Sequence, residues 1–170
     1  MCMCARMLAW VCVPLCISRK LRASYCNAVL YGVSDHNINR LQRVQNNLAR
    51  VVCTAPYRTS VTGLRRSLHW LPIRKRITYK ISVMTYKVSS LRKPAYLDEL
   101  ITNYEPTRLL RSSDKMLLTE PRTRTMVASR AFGVTVPRTW NGLPLKVRTA
   151  ASIDTFCNRL KTHLFCIAYD

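Results

Sequence analysis

Apolar positions recur at spacings of three and four along several stretches of this 170-residue chain, and each such stretch predicts an amphipathic helix. In residues 37–53 the stripe is Leu41, Val44, Leu48 and Val51. That stripe is expected to face a core, with Arg43 and Arg50 on a common outer face and Asp35 or Asn37 as the cap. A breaker region over residues 54–60, with Pro56, ends it. A short helix over residues 61–68 follows, carrying Arg65 and Arg66, and Pro72 is suited to the first turn of the next. That next helix has the clearest period. Ile73, Ile77, Ile81, Met84 and Val88 form its apolar face, and Arg74, Lys75, Arg76, Lys80 and Lys87 fill much of the remaining circumference.

Beyond Ser89 the texture changes, because Pro94, Pro106, Pro121, Pro137 and Pro144 exclude long helices. Residues 95–101 predict one or two helical turns. Residues 116–119 and 132–136 read as extended, the latter from the alternation of Phe132, Val134 and Val136. Trp140 and Leu143, with Pro144, are expected to anchor a loop against a core and so to serve fold stability. Ser152 caps a final helix whose Ile153, Phe156, Leu160 and Leu164 again repeat at three and four, with Asp154 near its positive end. The expected fold is mainly α: a helical bundle followed by a small irregular α+β segment. Three parts are expected: an apolar, Cys-rich start over residues 1–23, a basic helical module over 24–93, and a mixed segment over 94–170.

Charge sharpens this division. The chain carries 28 Lys and Arg against 8 Asp and Glu, a formal net charge of +20. No acid occurs between Asp35 and Asp98, an interval that holds thirteen basic residues. A one-sign surface repels itself, so a compensating polyanion is expected, and phosphate fits best. By density, Arg65, Arg66, Arg74, Lys75, Arg76, Lys80 and Lys87 are the expected phosphate contacts. Trp70 and Tyr79 are candidates for stacking on a base or ribose, with core packing the preferred role for Trp70. Arg122, Arg124, Arg130 and Arg138 either extend the basic surface or solvate the last part. A basic amphipathic helix also suits an anionic membrane or a calmodulin-type partner, but neither explains the basic residues outside that helix. No stable membrane association is expected.

Other chemistry finds little support. The eight cysteines form no Cys-x-x-Cys pair and His36, His69 and His163 stand apart, so reduced, buried thiols are expected rather than zinc or a disulfide framework. Four glycines make no phosphate loop, His69 has no evident nucleophile beside it, and no cofactor is expected. Residues 7–17 are apolar, but too few to span a bilayer, and no convincing small-x-small cleavage site closes the run. The expected location is nuclear or cytoplasmic rather than secreted.

Eight blocks in order carry a family resemblance: YCNAVLYG from Tyr25, LQRVQNNLARVV from Leu41, RSLHWLPIRKRITYKI from Arg66, PAYLDELI from Pro94, LRSSD from Leu110, PRTRT from Pro121, RAFGVTVPRTWNGLP from Arg130 and SIDTFCNRLKTHLF from Ser152. Together, over roughly residues 24–166, the chain resembles the C-terminal end of LINE-type, non-LTR retrotransposon reverse transcriptases. Each block alone is weak; their order gives the weight.

The resemblance implies a post-palm region: a helical thumb that grips the template and primer backbone, and then a less understood C-terminal segment. Backbone gripping needs cations and amide donors and no base readout, which suits the acid-free stretch. The implied partners are RNA or an RNA–DNA hybrid, and the fingers and palm of the parent polymerase. A thumb normally packs on the palm, so apolar surface such as residues 25–33 is expected to be exposed. Two-metal phosphoryl transfer needs paired carboxylates. The string Tyr96-Leu97-Asp98-Glu99 imitates an aromatic-x-Asp-Asp motif, but Glu replaces the second Asp and the string falls on the family's post-palm PAYL segment. The chain is therefore expected to be no enzyme by itself. Two alternatives stand beside this reading: a relic of a mobile element without a biochemical role, and a secreted cationic protein, which would require the apolar start to act as a targeting segment.

Overall fold

The computed structural model describes residues 27–92, 94–106 and 116–170. The apolar start with its candidate targeting segment, Tyr25 and Cys26 of the first family block, and the LRSSD block lie outside the described residues. The described chain is mainly helical. Seven α-helices occur in it: α1 (Asp35–Val52), α2 (Val61–Ser67), α3 (Ile73–Leu91), α4 (Ala95–Asp98), α5 (Phe132–Asn141), α6 (Leu145–Arg148) and α7 (Ile153–Tyr169), with short 3-10 turns at Asn27–Leu30 and Ala128–Arg130. The chain divides into two compact units, one containing the described residues up to Arg76 together with Tyr169, the other Ile77–Ala168 with Asp170.

In the first unit α1 packs on α2. The buried residues of α1 are Ile38, Gln45 and Ala49, whereas Leu41, Val44, Leu48 and Val51 remain exposed, so the expected core stripe is displaced around the helix. The reason is polar. Gln45, 3% exposed, donates Nε2 to Leu71 O at 2.9 Å, and Gln42 Oε1 accepts the Ile73 N–H at 3.0 Å. These amides fix the chain that leads into α3 and satisfy one of the donors at its N-terminus. Pro72 precedes α3, and its carbonyl accepts the Arg76 N–H at 3.0 Å. Neither Asp35 nor Asn37 caps α1. Ser34 flanks it without a side-chain bond, and Asp35 sits in the first turn. Within residues 28–33 Val29 is exposed, whereas Leu30, Tyr31 and Val33 are half-buried.

Two helices of this unit end in the same way. After α1, Thr54 N–H bonds Val51 O and Ala55 N–H bonds Arg50 O; after α2, His69 N–H bonds Arg66 O and Trp70 N–H bonds Arg65 O. This pair of bonds is the Schellman motif, which places the residue after the cap in the left-handed region. Thr54 and His69 adopt it with φ of 48° and 50°. For a β-branched residue that conformation is strained, at about 1–2 kcal/mol, against about 0.5–1 kcal/mol of extra chain entropy lost by glycine. Thr54→Gly is therefore expected to stabilise the protein by up to about 1 kcal/mol. The check is a urea midpoint that rises at constant slope.

The second unit has an aromatic centre. Phe156 of α7 is fully buried, with its ring 4.5 Å from Tyr86 and 5.7 Å from Trp140, centroid to centroid. Leu160 and Leu164 continue the buried face, and Ser152 caps α7 by accepting the Thr155 N–H at 3.2 Å, as its sequence predicts. From α3 the core takes Ile77, Ile81 and Val88, but also Ser82 and Thr85. These two hydroxyls avoid a desolvation penalty by donating to Thr78 O and Ile81 O, each at 2.9 Å.

Residues 132–136 are helical, not extended. Val134, Thr135, Val136, Pro137 and Trp140 of α5 are buried, with Pro137 inside the helix. Proline removes one rung of the ladder, and burial of the ring compensates. Trp140 lies near the end of this helix, and it is buried and holds a loop segment, as expected. Its indole N–H donates to Met116 O at 2.9 Å, and Leu143 is buried beyond it. The adjacent Asn141 imitates a strand neighbour: its Oδ1 accepts from Leu118 N and its Nδ2 donates to Leu118 O, both at 2.9 Å. Among the described residues, the expected α+β character of the last part reduces to one isolated antiparallel bridge between Asn103 and Leu118.

Candidate nucleic-acid interface

The acid-free interval folds into α1, α2 and α3, and the cations on them fall into unlike environments. In the first unit Arg66 and Arg74 are exposed, while Arg65, Lys75 and Arg76 are half-buried. Arg65 donates Nη1 to Asn46 Oδ1 at 3.2 Å, and its Nε is buried with no hydrogen-bond partner among the described residues. Arg76 donates Nε to Leu71 O at 2.9 Å. Burial lowers its pKa, and the nearby Tyr169 phenol acts in the opposite sense. Arg74 pairs with Asp35 at the surface. An exposed pair of this kind contributes at most about 1 kcal/mol, so it leaves the cation within reach of a competing phosphate.

Tyr169 was not legible as a neighbour of these arginines. Its hydroxyl donates to Trp70 O, a carbonyl 99 positions away in the chain. Burial raises the phenol's pKa, and Arg65 and Arg76 pull it down again. Helical spacing in the last segment gives no sign of this contact, since Tyr169 continues none of the apolar stripe formed by Phe156, Leu160 and Leu164.

Several exposed cations of the same unit were not singled out from the sequence as phosphate contacts. Arg40, Arg43 and Arg58 are exposed. Their membership of the acid-free interval was the available signal; local density favoured the α3 cluster instead. Arg50, expected outside with Arg43, is half-buried, with its guanidinium 4.8 Å from the centroid of the Tyr57 ring.

In the second unit Lys87 is exposed and Lys80 half-buried. Tyr79 is half-buried. Burial raises its phenol pKa well above the ordinary value, reinforced by a side-chain hydrogen bond with Cys157. Trp70 is half-buried. Arg122, Arg124, Arg130 and Arg138 are all exposed. Arg148, by contrast, is buried beside Met116 O, and burial lowers its pKa.

Tyr96, Leu97 and Asp98 lie on the short helix α4 and not on a strand-turn-strand, and Asp98 pairs with Arg92 at 3.2 Å. The described cysteines, Cys53, Cys157 and Cys166, are free thiols. The first two are half-buried and Cys166 is exposed, so none is buried as expected. No three His, Cys, Asp or Glu residues converge on a metal-sized site among the described residues. No described helix is long and apolar enough to cross a membrane. No protein-family model, curated protein or solved structure matches the chain.

Proposed function

We propose that this chain grips the phosphodiester backbone of RNA or an RNA–DNA hybrid without reading its bases, as the post-palm C-terminal part of a retrotransposon-type reverse transcriptase. The fingers and palm of such a polymerase would supply the chemistry, and this chain the hold on the duplex. The observation that carries the reading is the folded state of the acid-free interval. In the first unit its helices expose Arg40, Arg43 and Arg66, beside Arg74 in its surface pair with Asp35, and the sequence holds no carboxylate between Asp35 and Asp98. Such a surface attracts a polyanion and gives no handle for base specificity. The ordered resemblance of eight sequence blocks supports the same reading independently of charge.

Fluorescence anisotropy of a labelled RNA–DNA hybrid titrated with the protein at low salt tests this reading. Saturable binding by folded protein is expected. A protein that is folded by circular dichroism and leaves the anisotropy unchanged at low salt would exclude it, and would leave the relic reading in its place.

A further inference from the structure

The four apolar residues displaced from the core form an ordered surface. Leu41, Val44, Leu48 and Val51 are 38%, 58%, 38% and 74% exposed, and their spacing of three, four and three is the a/d pattern of a two-heptad coiled-coil seam. The seam is one side of a wider apolar arc. At 100° per residue, Val52 and Gln45 separate it from the buried Ile38 and Ala49, so the packing of the described residues covers only part of the apolar circumference of α1. A contiguous apolar strip of this kind marks an interaction surface rather than scattered surface hydrophobes.

Charge selects the occupant. Arg40 immediately precedes the first seam residue, at the flanking position that faces a partner helix, and it is exposed; Arg43 lies further round, on the outer face. The first acid after Asp35 is Asp98. A second copy of the chain brings its own +20 to the contact, and net charge of that size opposes self-association. An acidic helix has both the apolar ridge and the complementary flank. We propose that α1 docks an amphipathic helix of another protein, with apolar residues at a/d spacing and Asp or Glu at the positions that flank them. This inference stands apart from the nucleic-acid reading and survives its failure.

The probe is a synthetic helical peptide of about three heptads, long enough to hold some helix alone, with Leu at a and d and Glu at e and g. Its partner control carries Lys at e and g. The protein variant is Val44→Ser with Val51→Ser, two exposed positions whose change leaves the buried face of α1 untouched. The Glu peptide is expected to bind the wild-type chain and the Lys peptide not to bind. The double variant is expected to weaken binding by about tenfold or more, since central apolar anchors dominate such contacts, while hybrid binding and melting stay as in the wild type. Equal binding of the Glu peptide to wild type and variant would overturn the proposal, because only charge would then hold it. Stripe-dependent dimerisation in sedimentation without peptide binding would overturn it in favour of a second copy. Stripe-dependent binding to phosphatidylserine vesicles without peptide binding would overturn it in favour of a lipid surface.

Discussion

Replacing Phe156 by Ala is expected to destabilise the second unit by about 3–5 kcal/mol, the usual range for emptying a fully buried aromatic site. Phe156 has 0% exposure, and its ring meets Tyr86 at 4.5 Å and Trp140 at 5.7 Å. Each aromatic pair contributes about 0.5–1.5 kcal/mol beyond the area it buries. The neighbours have little freedom to collapse into the cavity. Tyr86 is tethered through its hydroxyl to Ala150 O at 2.9 Å, and the Trp140 indole to Met116 O at the same distance. The cavity therefore persists, and the cost falls toward the upper end of the range. Against a total stability of about 5–15 kcal/mol for a typical domain, that is a large share of what holds the unit folded. Urea melts that track hydrogen-exchange protection in α7 measure the effect. Phe156→Leu keeps most of the volume and is expected to lose less than half as much. A loss below about 1 kcal/mol for the alanine variant would mean that the aromatic cluster is not the centre of this unit.

The largest effect on binding is expected from Arg66 and Lys75. Both belong to the first unit and neither is tied to a carbonyl as Arg76 is. Each phosphate that a cation neutralises releases counterions and adds about 0.9 to the slope of log affinity against log salt on B-form DNA, with a comparable step on a hybrid. Arg66→Gln with Lys75→Gln is expected to flatten that slope by about 2, and to weaken binding equally for unrelated sequences. Arg76 makes an instructive contrast. Its Nε holds Leu71 O at 2.9 Å, the same carbonyl that Gln45 bonds. Arg76→Gln is therefore a change to the fold as well as to the charge, and a weaker test of phosphate contact. An unchanged slope in the Arg66 and Lys75 double variant would remove both residues from the interface.

Some of this was legible in the sequence, for reasons that differ between elements. The final helix was legible because its cap, its first-turn acid and its apolar stripe agree: Ser152, Asp154 and the run Phe156, Leu160, Leu164 all point to one arrangement. The first helix was legible as a helix but not in its facing. Its most regular apolar stripe, Leu41 to Val51, is exposed, and the buried side turns on Gln45, whose amide finds a carbonyl 26 residues away. Periodicity reports that a face is apolar and cannot report which element covers it. α5 was misread from three alternating residues. Phe132, Val136 and Trp140 also recur every four, but Pro137 argued against a helix, and only its burial makes the helix tolerable. The basic interval was legible in full, since charge survives any fold. How the cations divide was not. Arg65 on Asn46 and Arg76 on Leu71 O depend on contacts between segments that local spacing does not encode.

The central claim is backbone gripping without base readout. The most direct measurement is wild-type binding, across a salt series, to two RNA–DNA hybrids of equal length and unrelated sequence. The expected result is one common affinity at each salt concentration and one common steep slope, because phosphates carry the attraction and base edges do not. A strong preference for one sequence, or a slope near zero, would contradict the account.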